Sequence, residues 1–207
     1  FSAIAPRYDV LNRLLSLRRD VAWRRQAIAS LQCAPGERLL DVATGTADML
    51  IEAATQYPAK VRLIGIDLSY DMLRYGIAKL APHPAAPPVH LFAGSGLELP
   101  YRSDSFNAAS IAFGIRNVAN HFQVLAELAR VLRPGGRLAI LEFAPETEPV
   151  LAGVYGFYLK HILPRLGGMI SGNRRAYQYL HDSVVQFPAT SDFLRLMEAA
   201  GFTDMRA

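Results

Sequence analysis

The clearest indication of the fold is the stretch Leu40-Asp41-Val42-Ala43-Thr44-Gly45-Thr46-Ala47-Asp48. It leads from a short apolar segment, residues 38–43, which is typical of a buried strand, into residues 47–56, which have a helical pattern. Small residues at positions 43, 45 and 47 would let a ligand approach the backbone. The first turn of the helix would add free N–H groups and the positive end of the helix dipole. The sequence therefore predicts a strand, a ligand-binding loop and a helix in succession.

Strands and helices alternate along the rest of the chain. We predict further strands at residues 61–66, 89–92, 107–113 and 137–143, and helices within 8–31 and at 71–80, 122–132 and 191–200. A sixth strand would begin at Phe202. Such alternation implies a parallel sheet with right-handed crossovers. The predicted fold class is α/β, with a doubly wound, mostly parallel sheet.

The length and composition suit one domain over residues 1–207. The chain is 51% hydrophobic and 19% charged, which gives enough apolar surface for a core and too little charge for disorder. Within this domain we expect an N-terminal helical cap over about residues 1–32. We also expect an aromatic helical insertion over about residues 148–188, where the strand–helix alternation is interrupted.

A second acidic position supports a nucleoside ligand. Asp67 stands 26 positions after Asp41, at the end of the second predicted strand, where a carboxylate can accept hydrogen bonds from ribose hydroxyls. A dinucleotide site is the alternative, but its G-x-G-x-x-G pattern is absent and Asp48 would repel a pyrophosphate. Adenosylmethionine has no phosphate, and acids help to hold its sulfonium and ammonium groups. An ordinary strand–helix turn with a capping threonine also remains open.

Positive charge is concentrated near the start of the chain. The formal net charge is +4, and residues 1–25 hold six arginines against two aspartates, so the remainder is balanced. This segment would suit an anionic partner or a membrane surface, or it forms a solvated helix face. No basic and aromatic pattern of the nucleic-acid-binding kind is present elsewhere, so we expect no nucleic-acid partner.

Cysteine and histidine usage exclude several classes. The single cysteine, Cys33, forms neither a disulfide framework nor a cysteine-based zinc site, and the five histidines lack ligand-like spacing, so no metal is predicted. No secretory signal is visible, and no apolar run approaches the roughly 20 residues that span a bilayer. We predict a cytoplasmic protein, and peripheral membrane contact through the basic segment and a homodimer are open alternatives.

The chain resembles the ubiquinone/menaquinone biosynthesis C-methyltransferase family, of the demethylmenaquinone methyltransferase type. The stretches that carry this resemblance are residues 4–12, 41–48, 113–118, 130–136, 141–143 and 177–188. They span nearly the whole chain. The stretches Phe113-Gly114-Ile115-Arg116-Asn117 and Tyr177-Gln178-Tyr179-Leu180 are particular to this family.

The resemblance implies a class I, Rossmann-like methyltransferase that uses S-adenosyl-L-methionine. The implied reaction is C-methylation of a demethylated isoprenoid quinol, either demethylmenaquinol or a related benzoquinol. Alternatives are an O- or N-methyltransferase on the same scaffold, or a non-catalytic cofactor-binding subunit of a quinone-biosynthesis complex. The predicted cofactor-binding residues are Asp41, Gly45, Thr46, Asp67, Leu68, Ser95, Gly96 and Ala112.

Three positions depart from the family pattern. Ala47 replaces a usual glycine, Ser95 stands where an Asp or Asn usually meets the adenine amino group, and Asn107 replaces a usual Asp. Ser95 can still accept a hydrogen bond, with less reach and no charge. We expect these changes to affect cofactor affinity more than the fold.

Methyl transfer to carbon needs a nucleophilic ring carbon, which forms when a neighbouring hydroxyl loses its proton. Arg116 and Asn117 follow the fourth predicted strand, so Arg116 would stabilise a phenolate and Asn117 would orient it. The alternatives are a salt bridge from Arg116 to Glu127 and a helix-capping role for Asn117. Gly114 would let a substrate approach the backbone.

Other candidates lie at the two ends of the chain. Tyr177 is a third predicted catalytic residue, and His181 would share its helix face as a weaker candidate. Tyr8 is a candidate wall of the cofactor pocket or a core residue. The aromatic insertion would form a lid and a channel for a prenyl tail, or an ordinary packed helix.

Overall fold

The computed structural model describes residue 16 and residues 19–57, 60–81, 88–143 and 183–207. The helices are α1 (Asp20–Leu31), α2 (Asp48–Gln56), α3 (Tyr70–Leu80), α4 (His121–Val131) and α5 (Thr190–Ala199). The strands are β1 (Arg38–Val42), β2 (Arg62–Asp67), β3 (Val89–Ala93), β4 (Phe106–Ala112) and β5 (Leu132–Leu141). A single 3₁₀ turn, Ile115–Asn117, follows β4.

The five strands form one parallel sheet in the order β3-β2-β1-β4-β5. In the centre, Asp41 of β1 lies between Gly65 of β2 and Ser110 of β4. The strand order reverses direction at β1, and ligands of open α/β sheets bind at the carboxyl ends of the strands at such a point. This topology confirms the predicted doubly wound α/β fold.

Alternating side chains of β1 serve two separate cores. Leu39 packs with Ile28 of α1 and Leu50 of α2, whereas Leu40 packs with Leu125 of α4 and the rest of a second cluster. Both leucines are fully buried, because successive residues of a strand point to opposite faces of the sheet. The continuous apolar run of β1 is thus explained by helices on both faces.

The last predicted strand begins earlier than its sequence suggests. Helix α4 ends at Val131 and β5 starts at Leu132, which pairs with Phe106. Pairing resumes at Arg137 opposite Ala108, so residues 133–136 form an irregularity in the strand. Pro134 and the two glycines that follow it lie in this irregularity, just beyond the end of α4.

The predicted sixth strand at Phe202 is wrong for the residues that the structure describes. Residues 202–207 have no strand, and Phe202 packs against the core cluster that contains Leu40 and Leu125. Of the N-terminal helical cap, α1 is described and the residues before Ser16 are not. Most of the predicted insertion, residues 144–182, likewise lies outside the described residues.

Asn107 has a structural role far from the strand ends where a ligand would bind. It lies near the amino end of β4, and its Oδ1 accepts a hydrogen bond from the Arg38 backbone N–H at 3.1 Å. The side chain therefore supports the pairing of β1 with β4. Its position gives no support to the expectation that Asn107 alters cofactor affinity.

In the described part of the chain, no helix combines the length and the apolar character that crossing a bilayer requires.

Candidate functional site

A cleft of about 280 Å³ opens at the carboxyl ends of β1, β2 and β4. Its walls come from the loop after β1 (Ala43 and Gly45), from Asp67 and Leu68 at the end of β2, and from Gly96 after β3. The sequence analysis predicted four of these five residues as cofactor contacts, and they lie together here. The cleft is at the reversal point of the strand order.

Asp67 ties two walls of the cleft together. Its Oδ2 accepts a hydrogen bond from the Gly45 N–H at 2.8 Å, and its Oδ1 accepts one from the Ser69 N–H at 2.7 Å. A carboxylate oxygen can accept more than one hydrogen bond, so each oxygen keeps capacity for a ligand hydroxyl. The carboxylate is thus fixed in position and still able to bind a diol.

The loop after β1 has an unusual backbone. Ala43, Gly45 and Ala47 have φ angles of 54°, 54° and 65°, all in the left-handed region. This conformation suits glycine and costs an alanine roughly 1–2 kcal/mol. Of the three small residues predicted to admit a ligand, only Gly45 therefore adopts this conformation without strain, and Ala43 and Ala47 carry the cost.

Three amides of this loop are already engaged. The N–H of Thr44 donates to the Ile66 carbonyl at 3.1 Å, that of Ala47 donates to the Thr44 carbonyl at 2.9 Å, and that of Gly45 donates to Asp67. A pyrophosphate site needs several free amides at this point. These three amides are therefore not free to bind a pyrophosphate, which counts against the dinucleotide alternative.

Asp41 is a buried carboxylate directly beneath the loop. Its Oδ1 accepts from the Ser110 hydroxyl and its Oδ2 from the Thr44 hydroxyl, both at 2.6 Å. Burial raises the pKa of this carboxyl to about 6, against the opposing effect of the two hydroxyl groups. A small second cavity on this side of the loop is lined by Asp41, Thr46 and Ala112, three further predicted contacts.

Asp48 has cationic partners that the local sequence did not indicate. It forms ion pairs with Lys79 of α3 and, at 3.5 Å, with Arg24 of α1. Lys79 also donates to the Thr46 hydroxyl at 3.1 Å. The charge of Asp48 is therefore compensated, and the predicted repulsion between Asp48 and a pyrophosphate is a weaker argument than the engaged amides.

Arg116 has a buried partner. Its guanidinium forms an ion pair with Glu142, and the two side chains are only 3% and 4% exposed. Burial raises the pKa of Glu142 above its ordinary value, although Arg116 opposes the shift. The alternative pairing with Glu127 is wrong, because Glu127 pairs with Arg130. The sequence feature that could have indicated Glu142 as the partner is its place as a charged residue directly after the apolar end of β5.

The other predicted residues are placed less uniformly. Asn117 lines the cleft, and its side-chain amide donates to the Phe113 carbonyl at 3.4 Å. The hydroxyl of Ser95 accepts from the Leu97 N–H at 3.1 Å, so it serves its own turn. Tyr177, together with Tyr8 and His181, lies outside the described residues.

Gly114 allows two loops of the cleft to pack together. A Cβ added there would lie 2.6 Å from the Cβ of Ala43, closer than two methyl carbons can approach. The sequence interpretation was that this glycine admits a substrate. The structure adds a packing reason, which is the contact between the loops after β1 and β4.

This sheet order, a glycine-containing loop after β1 and a carboxylate at the end of β2 define the class I methyltransferase fold. An S-adenosylmethionine-dependent methyltransferase of Thermotoga maritima, described as a possible histamine N-methyltransferase, matches with a TM-score of 0.65 and 20% identity. The match covers 98% of this chain and 80% of that protein, and it shows the fold alone. The model of the ubiE/COQ5 methyltransferase family matches residues 1–206, and the chain belongs to this family.

Two bacterial relatives match over almost the entire chain. The ubiquinone/menaquinone biosynthesis C-methyltransferase UbiE of Syntrophotalea carbinolica is 48% identical, over 100% of this chain and 85% of its own length. The demethylmenaquinone methyltransferase of Deinococcus radiodurans is 44% identical, over 98% of this chain and 83% of its own. The family resemblance seen in the sequence is confirmed, and the protein is a methyltransferase.

The raised pKa of Asp41 predicts a pH effect on stability. The folded state holds this proton more tightly than the unfolded chain, whose pKa is near 3.8, so the contribution of Asp41 to stability falls as pH rises from about 4 to about 6. Asp41→Asn should remove this loss and raise the unfolding free energy at pH 7 by up to about 3 kcal/mol. Denaturant unfolding from pH 4 to 8 measures it.

Glu198→Gln is the control for this experiment, because it removes the same charge from an exposed position on α5. The difference in stability between Asp41→Asn and wild type should grow across the pH window, whereas the control should track wild type. A constant difference would show that the Asp41 carboxyl titrates normally.

Proposed function

We propose that the cleft binds S-adenosyl-L-methionine and that the protein transfers its methyl group to a ring carbon of a demethylated isoprenoid quinol. The observation that carries this proposal is the position of Asp67. Its carboxylate is fixed in the cleft wall beside a loop in which the amides of Thr44, Gly45 and Ala47 are occupied. This arrangement suits a ribose diol without a phosphate.

We expect the three parts of this cofactor to bind at different walls of the cleft. The ribose would bind at Asp67, and the base would lie against Leu68, whose apolar side chain is 76% exposed. Gly96 would form the opposite wall, where a Cβ would come within 2.8 Å of Val42, so this wall is drawn in against β1. The amino-acid end would extend toward Asp41, whose charge suits the ammonium and sulfonium groups.

The quinol is inferred from the relatives. Both curated relatives carry names from quinone biosynthesis, one a C-methyltransferase and one a demethylmenaquinone methyltransferase. The apolar lining of the cleft beyond Asp67, from Val42, Ile111 and Val118, suits a flat aromatic ring next to the cofactor.

When bound, the cofactor supplies an electrophilic methyl group. The task of the protein is to align a ring carbon with that methyl and to favour loss of the proton from the neighbouring ring hydroxyl. Asn117 lies in the cleft wall and would orient that oxygen. Arg116, one residue away and held by Glu142, would favour the phenolate electrostatically. Tyr177 is retained as a third proposed catalytic residue.

The direct test combines the purified protein, S-adenosyl-L-methionine and a short-chain demethylnaphthoquinol kept reduced. We expect a product one methyl group heavier, with the methyl on a ring carbon by fragmentation in mass spectrometry. A methyl on oxygen, or no product from naphthoquinol and benzoquinol alike, would refute the proposed reaction.

Asp67→Ala should weaken binding of S-adenosylhomocysteine at least tenfold, because charge-assisted hydrogen bonds contribute about 1.5–3 kcal/mol each. Calorimetric titration measures the affinity, and NAD should give no binding heat with wild type. Glu198→Gln again serves as the charge-matched control. Unchanged affinity in Asp67→Ala would place the cofactor elsewhere.

Arg116→Ala should lower the unfolding free energy by about 3–5 kcal/mol, because it leaves Glu142 buried without its partner. The pair Arg116→Met with Glu142→Gln should recover most of that loss, since no uncompensated charge remains. This double variant then isolates the chemistry. We expect its kcat to fall by about 10²–10³ with cofactor affinity unchanged.

Thermal melting, cofactor Kd and kcat are measured on the same preparations. If the double variant melts like wild type and turns over at the wild-type rate, Arg116 is a structural partner of Glu142 and has no catalytic role.

A further inference from the structure

Helix α4 presents three polar side chains to the loop that follows β3. Gln123, Glu127 and Arg130 are spaced four and three residues apart, so they lie along one face of the helix. Opposite them run residues 97–101, which continue directly from the cleft wall at Gly96. In the sequence, Arg130 stood out only as part of a family stretch and Glu127 only as an alternative partner of Arg116, and Gln123 was given no role.

All three side chains bond to the backbone of this loop. Gln123 Nε2 donates to the Leu97 carbonyl at 3.0 Å, and Glu127 Oε2 accepts from the Leu99 N–H at 2.7 Å. Arg130 donates to two carbonyls, that of Leu99 at 3.0 Å and that of Tyr101 at 2.7 Å. Alternate residues of the loop are therefore held by side chains of one helix.

Glu127 and Arg130 also fix each other. Two hydrogen bonds, at 2.7 and 2.8 Å, join the guanidinium to the two carboxylate oxygens. The hydrogen bonds from Arg130 hold the pKa of Glu127 below its ordinary value. The planar guanidinium reaches one carboxylate and two carbonyls at once, a geometry that lysine cannot reproduce.

The cleft end of the same loop is set by tight contacts. The Ser95 hydroxyl accepts from the Leu97 N–H, so the turn at 95–97 is closed on itself. A Cβ on Gly96 would approach Val42 to 2.8 Å, which leaves little room for this wall to shift inward. The wall can therefore move only outward, and that movement depends on how residues 97–101 are held.

The polar face of α4 is separable from its role in the fold. Val124, Leu125 and Leu128 are fully buried on the other side of the helix and attach it to the sheet. Leu99 itself is buried in the same core cluster. By contrast, the side chains of Arg130 and Glu127 are 35% and 19% exposed. Changes on the polar face should leave the helix and the sheet in place.

We propose that Gln123, Glu127 and Arg130 are positioning residues that hold the loop of residues 95–101 as the wall for the base end of the cofactor. They set cofactor affinity and leave the rate of methyl transfer unchanged once the cofactor is bound. This inference rests on the proposed function, because it assumes that the base lies against Gly96.

The test compares Arg130→Lys and Glu127→Gln with the matched control Arg195→Lys. Arg195 forms an exposed ion pair with Asp192, three residues before it on α5, the same spacing as Glu127 and Arg130. For the two loop variants we expect the Kd of S-adenosylhomocysteine to rise about 5- to 30-fold. The Kd of 5′-methylthioadenosine should rise by the same factor, because it lacks the amino-acid end but keeps the base. The control should match wild type in both.

Turnover separates positioning from general destabilisation. At saturating cofactor, kcat of the loop variants should stay within about twofold of wild type, so that only the KM for cofactor changes. Two results would overturn the inference if the wild type binds normally. One is an unchanged Kd in both loop variants. The other is a raised Kd that returns to the wild-type value when the variants are cooled well below their melting temperatures, because the lost affinity would then reflect partial unfolding. A fall in kcat at saturating cofactor would overturn it too. Absence of binding by the wild type would instead refute the proposed function.

Discussion

The hydrogen bonds from Gly45 and Ser69 to the Asp67 carboxylate are the contacts on which the site depends. They join the loops after β1 and β2 at the point where the strand order reverses. Together with the hydrogen bond from Thr44 to Ile66, they hold a loop with three left-handed residues against β2. The same carboxylate can still accept hydrogen bonds from a ligand, so one side chain both joins the two loops and offers a binding group.

The buried charges around this site lower the stability of the fold. Asp41 is fully buried and its pKa is raised, so its ionised form opposes folding. The Arg116–Glu142 pair is likewise withdrawn from water, where desolvation offsets much of the attraction. Apolar residues would suit both places better. Their presence at the strand ends, beside the cleft, is consistent with a ligand that carries positive charge and a ring that develops negative charge.

The two faces of α4 make different kinds of contact. One face joins the core through aliphatic side chains, and the other binds a loop through a carboxylate, a guanidinium and an amide. A rigid helix is a better support for a binding loop than the loop itself, because its own backbone hydrogen bonds are complete. The cleft wall is thus held by an element that no ligand needs to touch.

The sequence alone predicts the alternation of β1 to β5 with the helices between them, the loop after β1 and the place of Asp67. These follow from patterns a few residues long: apolar runs, helical periodicity, and small residues between a strand and a helix. Local pattern did not choose the long-range partners. Arg116 pairs with Glu142, 26 residues away, and Lys79 with Asp48, 31 residues away. Local pattern also did not predict the start of β5 or the packing reason for Gly114. Each depends on which strand ends become neighbours, and only the assembled sheet brings those ends within a hydrogen bond of each other.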